Sequence, residues 1–237
     1  MNSAGLPSKQ AEVLNHIAQC GPKTEYQLNK ELEMSSGTIH YALGRLEERG
    51  LLEWVPKGRA ETGLTIKEFH PTSNGVIAAL ATGKLWNNVD QIVERWGSWV
   101  PLTLKKWSHL VSYGLEEEMK RVVESTPEEI LHARPAPGDE RTEAFEDFVR
   151  DLFNWHVLRN VLGSRDRATR IKWYKAIRDD PELRRWALEK ARLGLSKIRA
   201  SVTSWERLVR LFEAAETPNW KEVEEEEARW PAVIFQI

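Results

Sequence analysis

The fifteen residues IHYALGRLEERGLLE, Ile39–Glu53, decide the fold of the first third of the chain. Their apolar residues first recur with the spacing of one helix face, and Gly50 then supplies the glycine that commonly ends a helix. We expect a helix from Gly37 to Arg49, with Ser36 as its N-cap. The run LLEWV, residues 51–55, follows at once and has the composition of a β-strand. The stretch therefore predicts a helix that leads directly into a strand.

Two helices, the second of them short, precede this stretch, and a β-hairpin and another helix follow it. Thr24, with Gln27 three residues later, is typical of a capping box at the start of the second helix. The basic, turn-rich segment 56–63 separates the first strand from a return strand at residues 64–69, where apolar and polar residues alternate. Thr72 begins the next helix. The order predicts a helix-turn-helix with a β-hairpin wing.

Two sequence motifs carry a resemblance to a known family. The stretch IHYALGRLEERGLLE resembles the recognition helix and first wing strand of winged-helix transcription regulators. HPTSNGVIAAL, residues 70–80, resembles the LTxxGxxAL element that follows the wing in PadR-like and MarR-like proteins. Thr72 and Gly75 match its Thr and Gly, whereas Pro71 stands in place of the Leu. The resemblance covers residues 8–84, and it implies a regulator that binds duplex DNA as a homodimer.

The start of the predicted recognition helix and the tip of the wing carry the side chains expected to contact DNA. The major groove of B-DNA admits one α-helix, whose N-terminal part meets base edges, and helix N-terminal amides attract phosphate. The predicted contacts are Ser35, Ser36, Thr38, His40, Tyr41 and Arg45 on the helix, with Lys57 and Arg59 on the wing for backbone or minor groove. Packing on the helical face is an equal alternative for Tyr41.

The charge of the first 80 residues leaves a second function open. These residues contain eight Lys and Arg against nine Asp and Glu, which is weak for a DNA-binding domain. The helix start and the wing tip, however, carry no acid except Glu61. A winged helix can also bind a protein partner, so the alternative is an interaction scaffold within a larger complex.

From Trp86 onward the sequence predicts helices alone, including a long amphipathic helix at 139–162. Ten of the eleven Trp residues lie in this part of the chain. We therefore expect two domains, a winged helix-turn-helix at 1–84 and a Trp-rich all-α multi-helix domain at 85–237, with RPAPG at 134–138 as a further dividing point. The predicted fold class is mainly α, with a small β-hairpin wing.

The segment 159–199 is strongly basic, with thirteen Lys and Arg against five Asp and Glu. Phosphate neutralisation and stacking on Trp173, Tyr174 or Trp186 would let it bind RNA or single strands. The candidate residues of this second nucleic-acid surface are Arg165, Arg167, Arg170, Lys172, Arg184 and Arg185. The favoured alternative is that the Trp residues fill the core and the basic residues are solvated or pair with the acidic block at 222–227.

Several function classes are not expected. No phosphate-binding loop, dinucleotide-binding, serine-hydrolase or zinc-protease motif is present, so we expect neither an enzyme nor a cofactor. His16 and Cys20 lie one helical turn apart, but two ligands do not make a metal site. The single cysteine, the absence of a long apolar run and the absence of a secretory signal predict a cytoplasmic, nucleoid-associated protein without membrane contact.

The oligomeric state and the role of the second domain follow from the resemblance. Regulators of this kind bind as dimers because two half-sites multiply a modest monomer affinity. We expect the helix that starts at Thr72 to contribute to the dimer interface. The helical domain would then add to the dimer, bind an effector or contact a protein partner.

Overall fold

The helices and strands of the first third follow the predicted order. A computed structural model describes residues 5–60, 63–136, 139, 141–163, 166–193, 195, 196 and 199. In chain order the elements up to residue 81 are α1 (Ser8–Cys20), β1 (Lys23–Thr24), α2 (Glu25–Glu31), α3 (Ser36–Glu48), β2 (Leu52–Arg59), β3 (Thr65–Pro71) and α4 (Ser73–Ala81). The predicted helix-turn-helix with a β-hairpin wing is confirmed.

The described chain beyond α4 is helical, as predicted. After a 3₁₀ turn at Trp86–Asn88, the helices are α5 (Val89–Trp96), α6 (Leu102–Lys105), α7 (Trp107–Ser112), α8 (Glu116–Glu124), α9 (Glu128–Leu131), α10 (Glu143–Gly163) and α11 (Arg167–Asp179). Residues 181–193 are helical as well. Among the described helices, none combines the length and the apolar character that a membrane crossing requires.

The described residues divide into two compact units, one that ends at Leu183 and one that begins at Arg184. The sequence boundary after residue 84 and the dividing point at 134–138 both fall inside the first unit. Within that unit a single hydrophobic core extends from Leu6 to Leu183. The division into two domains at residue 84 stays a prediction.

Three antiparallel strands form one small sheet in the order β1–β3–β2. β2 and β3 pair along their length, with an irregularity in register between Pro56 and Gly58. β1 was not predicted, because its two residues directly follow a Gly-Pro turn. They pair with Phe69 and Glu68 of β3 and thereby connect the α1–α2 turn to the base of the wing.

Side-chain caps determine where the N-terminal helices begin. The capping box at α2 is confirmed, since the Thr24 amide donates to Gln27 Oε1 at 2.9 Å and the Gln27 amide donates to Thr24 Oγ1 at 3.3 Å. The predicted cap of α3 was wrong by one residue. Ser35 rather than Ser36 has the extended backbone of an N-cap, and its Oγ accepts from the Thr38 amide at 3.2 Å.

Helix α4 is the centre of the first unit. All nine of its residues are buried, and it packs against α1, α8, α9 and α10. Its predicted cap, Thr72, is confirmed, because Thr72 Oγ1 accepts from the Gly75 amide at 3.1 Å. The expectation that this helix contributes to a dimer interface was wrong: its side chains are covered by helices of the same chain.

A buried polar cluster joins the N-terminus of α4 to α10. Glu146 is 1% exposed, and its Oε2 accepts from the Ser73 amide at 2.9 Å. Arg141 pairs with the other oxygen of Glu146 and also donates to Asn74 Oδ1. Asn74 in turn donates to the Ile130 carbonyl oxygen at 2.5 Å. The carboxylate thus satisfies a helix N-terminal amide that would otherwise lack a partner.

Several Trp side chains fill the core between helices. Trp96 of α5 donates from Nε1 to the Ala18 carbonyl oxygen at 2.7 Å and so fastens α5 to α1. Trp86 and Trp107 stack with ring centroids 5.5 Å apart, and Trp173 of α11 is fully buried. These positions support packing as the role of these four Trp residues, whereas Trp54 and Trp155 are exposed.

Gly75 gives a test of how closely α4 approaches the wing. A Cβ atom at this position would lie 1.9 Å from the Leu51 carbonyl oxygen, which is backbone and has no rotamer by which to move away. We therefore expect Gly75→Ala to lower the free energy of unfolding by about 2–4 kcal/mol, measured by urea denaturation.

Gly44→Ala is the matched control for Gly75→Ala. A Cβ atom at Gly44, in the middle of α3, would meet nothing within 4 Å, so this substitution should stabilise by up to about 1 kcal/mol. Equal stability of the two variants would contradict the close packing of α4 on the wing.

Candidate nucleic-acid interface

Helix α3 separates an apolar inner face from a polar outer face. Ile39, Leu43 and Leu46 are buried and pack towards α1 and α2. Ser36, His40 and Tyr41 point outward, and Tyr41 is 63% exposed. Within the described residues nothing covers this outer face, so Tyr41 does not pack on the helical face.

At the start of α3, one serine caps the helix and the next one is exposed. The hydroxyls of Ser35 and Thr38 lie 2.8 Å apart and are hydrogen-bonded to each other. Ser35 is therefore held in its capping position, whereas Ser36 and Gly37 are exposed beside it. The first turn of α3 therefore presents the exposed Ser36 hydroxyl together with backbone N–H groups, which at a helix N-terminus attract phosphate.

Two of the predicted contact residues on α3 have acidic neighbours. His40 Nδ1 lies 3.3 Å from Glu25 Oε2 of α2, and the His40 side chain is 80% exposed. Arg45 pairs with Glu48 one turn further along α3. DNA phosphates would have to compete with these carboxylates for both side chains.

The two predicted wing residues differ in their surroundings. Lys57 of β2 pairs with Glu68 of β3, and this hydrogen bond is the main reason why the pKa of the Glu68 carboxyl lies below its usual value. Arg59 is exposed at the end of β2. Residues 61 and 62 of the wing loop, including Glu61, lie outside the described residues.

The base of the wing touches the polar cluster around α4. Glu53 of β2 is half-buried, and burial raises the pKa of its carboxyl; the nearby charge of Glu146 raises it further, while Arg141 lowers it. Arg141 also lies against Gly50, the residue that connects α3 to β2. The end of α3 and the base of the wing therefore meet the helical region at this cluster, and His70 of β3 also contacts Trp96 of α5 edge-on, with ring centroids 6.1 Å apart.

Two aromatic–lysine pairs beside the predicted contacts were missed by sequence reasoning. Lys67 lies over the Trp54 ring at 4.3 Å on the wing, and Lys30 lies over the Tyr26 ring at 4.4 Å on α2. The spacing of Tyr26 and Lys30, four residues apart on one helix, was the available signal. The pair of Trp54 and Lys67 depends on strand register and had no local signal.

The second predicted surface is only partly described. Arg165 lies outside the described residues. On α11, Arg167 and Lys172 are exposed and Arg170 is half-buried, while Lys172 donates to the Gly114 carbonyl oxygen at 3.3 Å. Arg184 and Arg185 are exposed and belong to the second unit.

A comparison with protein-family models identifies the N-terminal segment. Residues 6–63 match the model described as a winged helix DNA-binding domain. This segment is a winged helix. The match runs from α1 through β2 and ends at the wing loop. Assignment of the winged helix to the PadR-like or MarR-like proteins stays a prediction. No curated protein and no solved structure matches the chain.

The described part of the winged helix shows no cluster of metal ligands. Among the described residues, no group of three or more His, Cys, Asp and Glu side chains lies close enough to hold a metal ion. His16 and Cys20 are in contact at 3.9 Å, and His16 also lies 2.6 Å from Glu31.

Removal of the Glu68 charge tests whether the wing contacts phosphate. We expect Glu68→Gln to bind random-sequence duplex DNA about two- to fivefold more tightly at low salt, because Lys57 is released and one local negative charge is removed. Fluorescence anisotropy with a labelled duplex measures the affinity.

Glu12→Gln is the matched control for Glu68→Gln. It changes the total charge equally and releases Lys9, which pairs with Glu12 at 3.2 Å on α1. If both variants gain the same affinity, only the total charge matters and the wing has no special role.

Proposed function

We propose that this protein is a transcriptional regulator that binds double-stranded DNA in a sequence-specific manner. The observation that carries the proposal is the open polar face of α3, in a segment that matches a winged helix DNA-binding domain. A helix with one face buried and the other unobstructed fits the width of a major groove. The proposal assigns no catalytic role to the chain.

In this proposal α3 reads the groove and the wing holds the backbone. Ser36, His40 and Tyr41 face the base edges, because they point outward from the first two turns. Arg45 reaches the backbone one turn further on. Lys57 and Arg59 contact phosphate or the minor groove beside the helix.

The local acids explain why a single copy would bind weakly. Glu25, Glu48 and Glu68 each lie beside a basic side chain of the candidate interface. Binding then depends on exchange of intramolecular pairs for phosphate contacts, which limits the gain from each contact. A homodimer on two half-sites would multiply this modest affinity.

A second candidate function rests on the basic face of α11. Arg167 and Lys172 are exposed there, and Tyr174 is 51% exposed beside the buried Trp173. The bases of single-stranded nucleic acids stack on exposed aromatic rings of this kind, while basic side chains beside the ring contact the phosphates. The remaining alternative, a scaffold that binds protein through the winged helix, is favoured by the balanced charge of residues 1–80.

Salt-dependent binding to random duplex DNA separates these functions. We expect Lys57→Ala with Arg59→Ala to reduce the slope of log affinity against log salt by about one unit for each phosphate that the variant no longer neutralises. The matched control is Lys9→Ala with Lys84→Ala, which removes two exposed charges outside α3 and the wing and should leave the slope nearly unchanged.

Two results would contradict the proposal. A chain with no affinity for duplex DNA would favour the scaffold. If the wing variant binds normally while Arg184→Ala with Arg185→Ala abolishes binding, the basic segment is the nucleic-acid surface.

A further inference from the structure

One face of α10 carries two large aromatic side chains that are about half exposed. Phe148 is 53% exposed and Trp155 is 45% exposed. The two residues are seven positions apart, so they point within about 20° of each other and lie about 10 Å apart along the helix. Leu152 lies between them and is half-buried. We call Phe148, Leu152 and Trp155 the α10 stripe.

The stripe lies opposite the face by which α10 belongs to the core. Glu146, on the far side of the helix, is 1% exposed and caps α4, and Val149 and Phe153 are fully buried. α10 therefore has one face that holds its own chain together and another that exposes apolar surface to solvent. Exposed apolar area of this kind indicates an interaction site.

The charges beside the stripe are unequal at its two ends. Asp147 lies near the N-terminal end, and its side chain is 69% exposed although it pairs with Arg150. Arg159 lies near the C-terminal end, is exposed and points in nearly the same direction as Phe148. The α10 surface is thus acidic at one end and basic at the other.

We propose that the α10 stripe is a homodimer interface, in which two copies of α10 pack antiparallel about a two-fold axis between residues 151 and 152. In this arrangement Phe148 packs against Trp155 of the partner subunit. Arg159 lies beside Ala144 of the partner subunit and within reach of the partner subunit's Asp147. A two-fold interface uses the same surface on both copies, so each of these contacts occurs twice.

The charges favour the antiparallel arrangement over a parallel one. A parallel pair would bring Arg159 beside Arg159 of the partner subunit, and Asp147 beside Asp147 of the partner subunit. Like charges side by side are destabilising. The antiparallel pair instead places opposite charges together at both ends. The antiparallel pair has an electrostatic repulsion at its centre, where the two Asp151 carboxylates approach each other. Each Asp151 also interacts within its own chain.

The size of the stripe sets the expected strength of the dimer. Large aromatic side chains bury about 150–250 Å² each, and these are roughly half-exposed. The aromatic contacts of two copies would therefore remove roughly 300–500 Å² of accessible surface from water. A stable complex buries about 1,600 Å², so this contact is small. We expect a dissociation constant of about 1–100 µM, a range that sedimentation resolves.

The biological role of this dimer rests on the proposed function, which is binding to duplex DNA. α10 caps α4 through Glu146, and α4 lies under the wing, so a dimer through α10 would present two copies of α3 at a fixed separation. Such a pair suits two half-sites on one duplex. Dimerisation itself is measured without DNA.

Sedimentation of the full chain without DNA tests the interface. We expect the wild-type protein to be a dimer at high micromolar concentration. The double variant Phe148→Ser with Trp155→Ser should have a dimer dissociation constant at least tenfold higher. The matched control, Tyr26→Ser with Leu64→Ser, removes two exposed apolar side chains outside α10 and should dimerise as the wild type does. Circular dichroism confirms the folding of each variant.

Two charge variants test the orientation of the helices. Arg159→Glu should weaken the dimer several-fold, because it places an acid beside the partner subunit's Asp147; in a parallel pair it would change little. Asp151→Asn should tighten the dimer, because it removes the repulsion at the axis.

The outcomes separate this inference from the proposed function. A wild-type chain that stays monomeric up to about 100 µM, or a Phe148 and Trp155 variant that dimerises normally, overturns the interface even if duplex DNA still binds. A dimer that depends on the stripe but binds no duplex supports the interface and contradicts the proposed function.

Discussion

The fold depends on one buried helix and on the carboxylate that caps it. α4 has no exposed residue, so it can exist only with other helices packed around it. Glu146 supplies the hydrogen-bond acceptor that the first amide of α4 needs, and Arg141 compensates the buried negative charge. Because Arg141 also touches Gly50 and lies near Glu53, the same cluster contacts the end of α3 and the base of the wing.

Two helices of the first unit each combine a buried face with an exposed one. The inner face of α3 is held by the core, and its outer face is open. α10 repeats the pattern, with Glu146 inside and two aromatic rings outside. In the proposed complex, the acids beside His40, Arg45 and Lys57 would moderate the attraction to phosphate. Contacts to base edges and a second copy would then supply more of the affinity and specificity.

Local signals made the N-terminal fold predictable from sequence. The caps at Thr24 and Thr72 act within three residues, so their chemistry is visible in the chain, whereas two adjacent serines left the start of α3 uncertain by one residue. The apolar run of α4 was itself a sign of complete burial, which the dimer hypothesis overlooked. The Glu146 cluster was not predictable, since its partners lie 73 residues apart in sequence.

Selection of bound duplexes from a random pool tests the central claim that the outer face of α3 reads DNA sequence. The wild-type chain should enrich a defined motif. A variant with Ser36→Ala, His40→Ala and Tyr41→Ala should keep salt-dependent binding to random duplex DNA but enrich no motif, because the wing and the fold are unchanged while the side chains that read the bases are truncated. Enrichment of the same motif by both proteins would contradict the account.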